Sequence, residues 1–453
     1  MTTTRQPVEH RLRYDRANTR QCRPTWGADA LVPLAFAAFC LFAKPLIRRP
    51  GGVDLNITIG DALILALAMA NLLARRPDTR LLRGLPPVLV AAFALLLSGT
   101  LVGILGSLGT TKALLNPGKE AWLLVATLSL ISLTAGSTAR ARACYKYLAA
   151  ATIVTTLVVY SRPSSWYYGR YSGRFLGTLQ DPNGAGHFYG WLVLALLGVI
   201  AHLPKPLALG GILVGLLGVY ASGSVGSRLS LAAGLAAGAI ALPLPRRARQ
   251  MMPAPSVLCT VAIGVAWLCG AFTITGVFSS ESDVLQSVDP MGVGRIQASG
   301  PTTEGGRLRG ARIAWAGIQR TPLGRSDGDL AAMSGIPSNT EAHNDLLQVT
   351  AEKGVLGGAG YLLLWVGLAQ VVSRLVARPH VGSVVASALI GQMVFMLLQT
   401  FSVETFHFRS FWVWIALLIA ELKTPEAPQT PANAEPRPRV RRAVSPPRQA
   451  SDR

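Results

Sequence analysis

Apolar runs long enough to cross about 30 Å of hydrocarbon recur along nearly the whole chain. They fall near Ala30 to Ile47, Ile57 to Leu73, Pro86 to Leu108, Ala121 to Leu133, Tyr147 to Tyr160, His187 to Ala201, Leu207 to Ala221, Leu229 to Leu242, Val257 to Val277, Val355 to Val372, Val384 to Phe401 and Phe408 to Leu422. Helices satisfy their own backbone inside lipid, so the pattern predicts an all-α polytopic membrane protein of about twelve transmembrane helices. The expected order is a basic N-terminal tail (1–29), nine helices (30–278), a polar interval (279–353), three helices (354–422) and a tail rich in Pro and Arg (423–453). That last segment has no apolar face to bury and is expected to be disordered.

The polar interval carries a pattern of its own. If residues 307–320 are helical, Leu308, Ala311, Trp315 and Ile318 share a face at spacings of three and four. Arg309, Arg312 and Arg320 fall on a common flank, with Arg307 in the first turn on the other side, and Pro322 and Gly324 end the helix. This is an amphipathic helix suited to the membrane plane, with tryptophan down and arginines up.

Composition changes the picture in one respect. The 453 residues are half hydrophobic and 14% charged, yet the formal net charge is +21. In a soluble protein that excess would suggest nucleic acid, and the mean hydropathy of +0.39 removes that reading. With an even number of spans, both termini lie on one side. If that side is cytoplasmic, it collects Arg75, Arg76, Arg80, Arg83, Arg140, Arg142, Lys146, Arg246, Arg247, Arg249 and both basic tails, as the positive-inside rule requires. The interval 279–353 is then an extracytoplasmic loop, together with Ser161 to Gly186 and Ser402 to His407. The polar N-terminal segment is too long for a cleaved signal peptide, so Ala30 is expected to open an uncleaved span. None of Cys22, Cys40, Cys144, Cys259 and Cys269 falls in a segment assigned outside, so no disulfide framework is expected. There is no CxxC, paired-histidine motif or Walker-type phosphate loop, so neither a zinc enzyme nor a P-loop ATPase is expected, and no metal or cofactor.

Candidate chemistry gathers in the loop and at helix mouths. His343, beside Asn344 and Asp345, is an imidazole able to take a proton from a hydroxyl near neutral pH. Arg307, Arg309 and Arg312 offer planar donor forks that match phosphate oxygens. YYGRYSGRFLGTLQDPNGAG brings Arg170 and Arg174 and enters a helix through Asp181-Pro182-Asn183, where Asn183 is either a cap or a substrate contact. SGSVGSRLS places Arg228 at the start of an apolar span among small residues. ETFHFR brings Glu404, His407 and Arg409 to the same surface, which suits a local ion pair as well as catalysis.

HNDLLQVTAEKGVLGG resembles the HNxxLxxxxExGxxG signature of the O-antigen ligase and O-antigen polymerase superfamily of bacterial membrane glycosyltransferases. GRLRGARIAWAGIQRTPLG is similar to the arginine, amphipathic helix and Pro-x-Gly element of that superfamily, GRFLGTLQDPNGAGH to its earlier Arg-x-x-Gly to Pro-Asn element, and GSRLS to its Ser-Arg. Pro322-Leu323-Gly324-Arg325 departs from the Gly-x-Gly frequent after the proline. The resemblance implies a GT-C-like helical fold in the cytoplasmic membrane, acting on polyprenyl-diphosphate-linked glycans at the outer face without metal or nucleotide sugar. It implies His343 as general base on the acceptor hydroxyl, Arg228 and Arg307 holding the donor diphosphate, and Arg174 helping. Arg309, Arg312, Asn183 and Asn344 complete the expected substrate-binding set, with a glycan, lipid or protein hydroxyl as acceptor and membrane lipid as a further partner.

Two rival readings use the same residues. A transporter or flippase for an anionic or lipid-linked sugar would use the arginines as its binding site, although the chain shows no clear internal repeat. A lipid-binding scaffold without chemistry would use them on headgroups.

Overall fold

The computed structural model describes residues 28–41, 58–74, 85–108, 112–135, 137–161, 175, 177–179, 182–258, 311, 313–326, 333, 344–401 and 405–423. Among these residues the chain is helical and forms no strand. In chain order the helices are α1 (Ala28–Leu41), α2 (Ile59–Ala74), α3 (Pro87–Gly106), α4 (Lys112–Thr134), α5 (Thr138–Ser161) and α6 (Pro182–Val199). They continue as α7 (Lys205–Ser222), α8 (Val225–Ala241), the short α9 (Arg246–Met251), α10 (Asp345–Val376), α11 (Ser383–Gln399) and α12 (Arg409–Lys423). Single 3-10 turns follow α6 and precede α12, the latter at Thr405–His407.

Local sequence explains the starts and stops. α3 opens on the Pro86-Pro87 pair, whose missing N–H groups cost nothing in a first turn. α7 ends where Gly223 turns left-handed, and Ser224 then caps α8 by accepting from the Ser227 N–H. Asn344 caps α10 in the same way, through a 3.1 Å bond from the Leu347 N–H.

The helices sort by what they cover. α6 and α12 are buried along most of their length and form the centre with α10 and α11. α3, α5 and α7 instead display leucine and valine, among them Leu97, Leu101, Leu105, Val154, Leu157, Leu209, Leu213 and Leu217. Apolar faces of that extent, on helices of this length, belong against lipid. The protein is a multi-pass helical membrane protein.

Five helices are long and apolar enough to cross a membrane, at Pro87–Gly106, Ala139–Ser161, Pro182–His202, Lys205–Ser222 and Asp345–Val376. Four shorter apolar helices lie at Ala30–Leu41, Ile59–Ala70, Val225–Ala241 and Ser383–Gln399. The described residues therefore carry the expected count of about twelve only in part. Most of the run Val257 to Val277, the loop up to 310 and most of both tails lie outside them.

Two features differ from the hydrophobic pattern. α4 begins at Lys112, ahead of the apolar run, and takes Pro117 and the buried Glu120 into the helix. α10 begins at Asp345, so residues 345–353, expected in the loop, are helical and mostly buried. Their apolar members face inward, and their charged members find partners on other helices.

Candidate functional site

The centre of interest is a broken helix. Within α10, Gly354 leaves the helical region with φ +66° and ψ −170°. A break frees backbone groups that lipid cannot satisfy, and here the polar interval satisfies them. Val355 N–H donates to the Pro322 carbonyl at 2.9 Å, and the Ala351 carbonyl accepts from Arg325 N–H at 2.9 Å. Gly324 is also left-handed, with φ +81°, and the two glycines abut. A Cβ on Gly354 would stand 2.5 Å from the Leu323 carbonyl, so neither position accepts a side chain without movement. Ser326 extends the dock to α3, with its N–H on the Gly103 carbonyl at 3.1 Å and its hydroxyl 2.8 Å from that of Ser107. The Pro-Leu-Gly turn of one motif is thus keyed into the Glu-Lys-Gly break of another.

The helical residues 313–320 lie just before this turn. Ala311, Ile313, Ala314 and Ile318 are buried with Met333 and with Leu347 and Ala351 of α10. Trp315 is 45% exposed, so it does not share the face that Ala311 and Ile318 bury. The packed face includes Ala314 in place of Trp315.

The first half of α10 carries buried polar side chains, and Asp345, Glu352 and Lys353 reach other elements. Asp345 accepts from the Tyr361 hydroxyl at 2.9 Å, from the Thr405 hydroxyl, and from the Phe406 N–H at 3.2 Å. This clamps the 3-10 turn onto the start of α10. Gln348 Nε2 donates to Glu352 Oε1 at 2.6 Å, and Glu352 Oε2 lies 3.8 Å from His407 Nε2. Lys353 forms a buried ion pair with Glu120 of α4. Next to these, Arg409 pairs with Asp61 of α2 at 2.6 Å, and Asp61 also accepts from Thr58 and from Trp122 Nε1.

Other motif segments converge on the same end. The Asp345 N–H donates to the Thr400 carbonyl at 2.9 Å, joining the start of α10 to the end of α11. Ser227 Oγ reaches Gln399 Oε1 at 3.3 Å, which brings in the start of α8. Gly186 of α6 lies so close to Ser222, Ser224 and Ser227 that a Cβ there would meet the Ser227 hydroxyl at 2.6 Å. His187 joins α6 to α12 through Ser410 Oγ at 2.8 Å. The starts of α6, α8, α10 and α12 and the ends of α7 and α11 therefore share one end of the bundle.

The expected site residues separate into two groups. Arg228, Asn183 and Asn344 sit on the elements of that end. Arg228 turns back over Tyr220, with its guanidinium 5.0 Å from the ring and one Nη donating to the Tyr220 carbonyl at 2.9 Å. Asn344, expected to touch substrate, uses its Oδ1 to cap α10 and is 5% exposed. Asn183 is half-buried in the first turn of α6. His343, Arg174, Arg307, Arg309 and Arg312 lie outside the described residues, as does Glu404.

Sequence reasoning did not single out Glu120, Gln348 or Lys353. Glu352 was noted only as the acid of the signature. One ligand atom each from Glu120, Glu352 and His407 falls within 4.8 Å of the others, an arrangement that could hold a cation. Lys353 already neutralises one oxygen of Glu120.

Comparison with curated proteins finds no match to the chain. A family model described as O-antigen ligase matches residues 210–362, from within α7 to beyond the break in α10.

Proposed function

Taking residues 210–362 as an O-antigen ligase segment, which agrees with the superfamily resemblance of the motifs, we propose that the chain is a membrane glycosyltransferase. It moves a glycan from a polyprenyl diphosphate carrier to a hydroxyl acceptor at the exoplasmic face of the cytoplasmic membrane, with both termini in the cytoplasm. The observation that carries this reading is the gathering of the motif segments of α6, α8 and α10 at one end of the bundle, with the Pro-Leu-Gly turn locked into the broken helix.

In this reading the acceptor hydroxyl attacks the anomeric carbon on the face opposite the diphosphate, and the configuration inverts. His343, adjacent to the cap Asn344, takes the hydroxyl proton. Charge develops on the departing diphosphate, and Arg228 and Arg307, helped by Arg174, Arg309 and Arg312, stabilise it without a metal. Asn183, at the mouth of α6, contacts the donor. The half-buried guanidinium of Arg228 would exchange its carbonyl partner for phosphate oxygens, a stronger charge-assisted bond.

The test is purified chain in liposomes with a polyprenyl-diphosphate-linked glycan and acceptor, comparing wild type with His343→Ala and Arg307→Ala. Each substitution is expected to lower product formation at least about 100-fold. Full activity in both variants would falsify the assignment. Movement of the donor across the bilayer without bond exchange would replace it with a carrier.

A further inference from the structure

Histidine aside, the buried charged side chains among the described residues are Asp61, Glu120, Asp345, Glu352 and Lys353, four acids and one base. Arg409 answers Asp61 at 2.6 Å, and Lys353 answers Glu120. Asp345 receives neutral donors, the hydroxyls of Tyr361 and Thr405 and the Phe406 N–H. Glu352 receives the amide of Gln348, also neutral. Neutral donors, and for Asp345 the N-terminal dipole of α10, steady a carboxylate without cancelling its charge. Two negative charges thus stand uncompensated in this buried set while the His407 imidazole is neutral. Bare buried carboxylates are costly, so this end of the bundle calls for added positive charge.

Unpartnered oxygens mark where that charge belongs. Lys353 takes Oε2 of Glu120 and Gln348 takes Oε1 of Glu352, which leaves Glu120 Oε1 and Glu352 Oε2 buried with no hydrogen-bond donor. Oε1 of Gln348, on the amide that holds Glu352, is buried without a donor as well. Glu352 Oε2 lies 3.8 Å from His407 Nε2, too far for a hydrogen bond. Two ligands of one ion, each about 2.1 Å from it, stand about 3 to 4.2 Å apart, so the same gap suits a shared cation. One ligand atom each from Glu120, Glu352 and His407 falls within 4.8 Å of the others, and a small contraction completes the set. The His407 side chain is 31% exposed, against 5% for Glu352, which gives an ion a way in and room for water ligands.

We propose that Glu120, Glu352 and His407 bind a single divalent cation of the Mn²⁺ or Zn²⁺ kind, which braces α4, α10 and the turn before α12 against one another. Two positive charges match the two that the buried set lacks. Two carboxylate oxygens with one imidazole nitrogen suit these borderline ions, whereas Ca²⁺ and Mg²⁺ favour all-oxygen shells and Cu(I) favours sulfur. Lys353 keeps its own oxygen of Glu120, and Asp345, which holds Thr405 and Phe406 of the same turn, offsets the remaining positive charge. The ligands come from three distant segments of the chain, so no local motif announces them. The ion takes no part in the transfer reading, and the inference does not rest on that reading.

The experiment uses the full chain in detergent, stripped with a chelator and then dialysed against Mn²⁺ alone or Zn²⁺ alone, with bound metal counted by mass spectrometry after desalting. Wild type is expected to keep about one ion per chain, with an unfolding midpoint that rises with free ion concentration. Glu352→Gln and His407→Asn are expected to lose the ion. Gln348→Leu, which removes only the group orienting Glu352, is expected to weaken binding about 10- to 100-fold. The Mn²⁺-loaded wild type supplies a reading that needs no variant to fold: nitrogen modulation in its electron spin echo reports the imidazole ligand. Retention equal to that of a protein-free detergent blank overturns the proposal, and the carboxyls then hold protons instead. Retention unchanged in all three variants, or an echo without nitrogen modulation, overturns it in favour of ions held elsewhere on the chain.

Discussion

The two halves of α10, on either side of the break at Gly354, solve different problems. Before Gly354, Asp345, Gln348, Glu352 and Lys353 are buried polar side chains whose partners come from α4, from the turn before α12 and from α10 itself. After Gly354, the buried residues include Tyr361, Leu364, Trp365, Leu368, Val371, Val372 and Leu375, packed in an apolar core. The apolar half is held by contacts that many side chains of similar volume could make. The polar half depends on particular pairs, since removing one partner leaves a charge buried without compensation. Specific chemistry and specific positioning are thus concentrated on one side of a single glycine.

The sharpest way to break the contrast is to remove one buried charge. Lys353→Ala is expected to cost about 3–5 kcal/mol, because Glu120 is left unpaired. The double substitution Lys353→Met with Glu120→Leu is expected to recover most of that, as measured by unfolding in mixed micelles of increasing SDS fraction. If the double variant is no more stable than the single one, the pair is not what stabilises this half. A smaller effect belongs to the boundary itself. Gly354→Ala introduces a side chain at φ +66° against the Leu323 carbonyl and is expected to cost about 2–3 kcal/mol. Faster proteolysis within residues 320–326 should accompany it, since the turn loses its seat. The smallest effect is at the cap: Asn344→Ala is expected to cost about 1 kcal/mol and Asn344→Asp much less. If Asn344→Asp lost as much stability as Asn344→Ala, a role for the side chain beyond capping would follow.

The same contrast explains what the sequence allowed one to read. Composition and run length suffice for apolar helices, and α6, α7, α8 and α11 follow their runs closely. Motif order pointed to the segments at the starts of α6, α8 and α10, and these meet. The polar half of α10 was read as loop because Glu352 and Lys353 look like a solvated boundary when their partners are out of view. Lys353 and Glu120 are 233 positions apart, and no local pattern announces such a pair. The role of Asn344 was legible in principle: an Asn directly before an apolar-periodic run is a helix cap by its own chemistry. Counting apolar positions along residues 311–320 puts Trp315 on the packed face, whereas the face that meets α10 is made of Ala311, Ile313, Ala314 and Ile318, a choice set by the partner helix and not by local spacing.

The long reach of the Asp345 contacts bears on how the protein is made. Asp345 leaves the ribosome 60 residues ahead of Thr405, one of the groups that receives it, and His407 emerges later still. At that moment Glu120 already awaits Lys353, whereas Asp345 and Glu352 have no neighbour on the turn to meet. An acidic segment in that position partitions poorly into the bilayer. Its burial therefore has to wait for the last hairpin of the chain to be translated, so a truncation before residue 405 would strand the front of this helix in water while the membrane-embedded remainder is already in place.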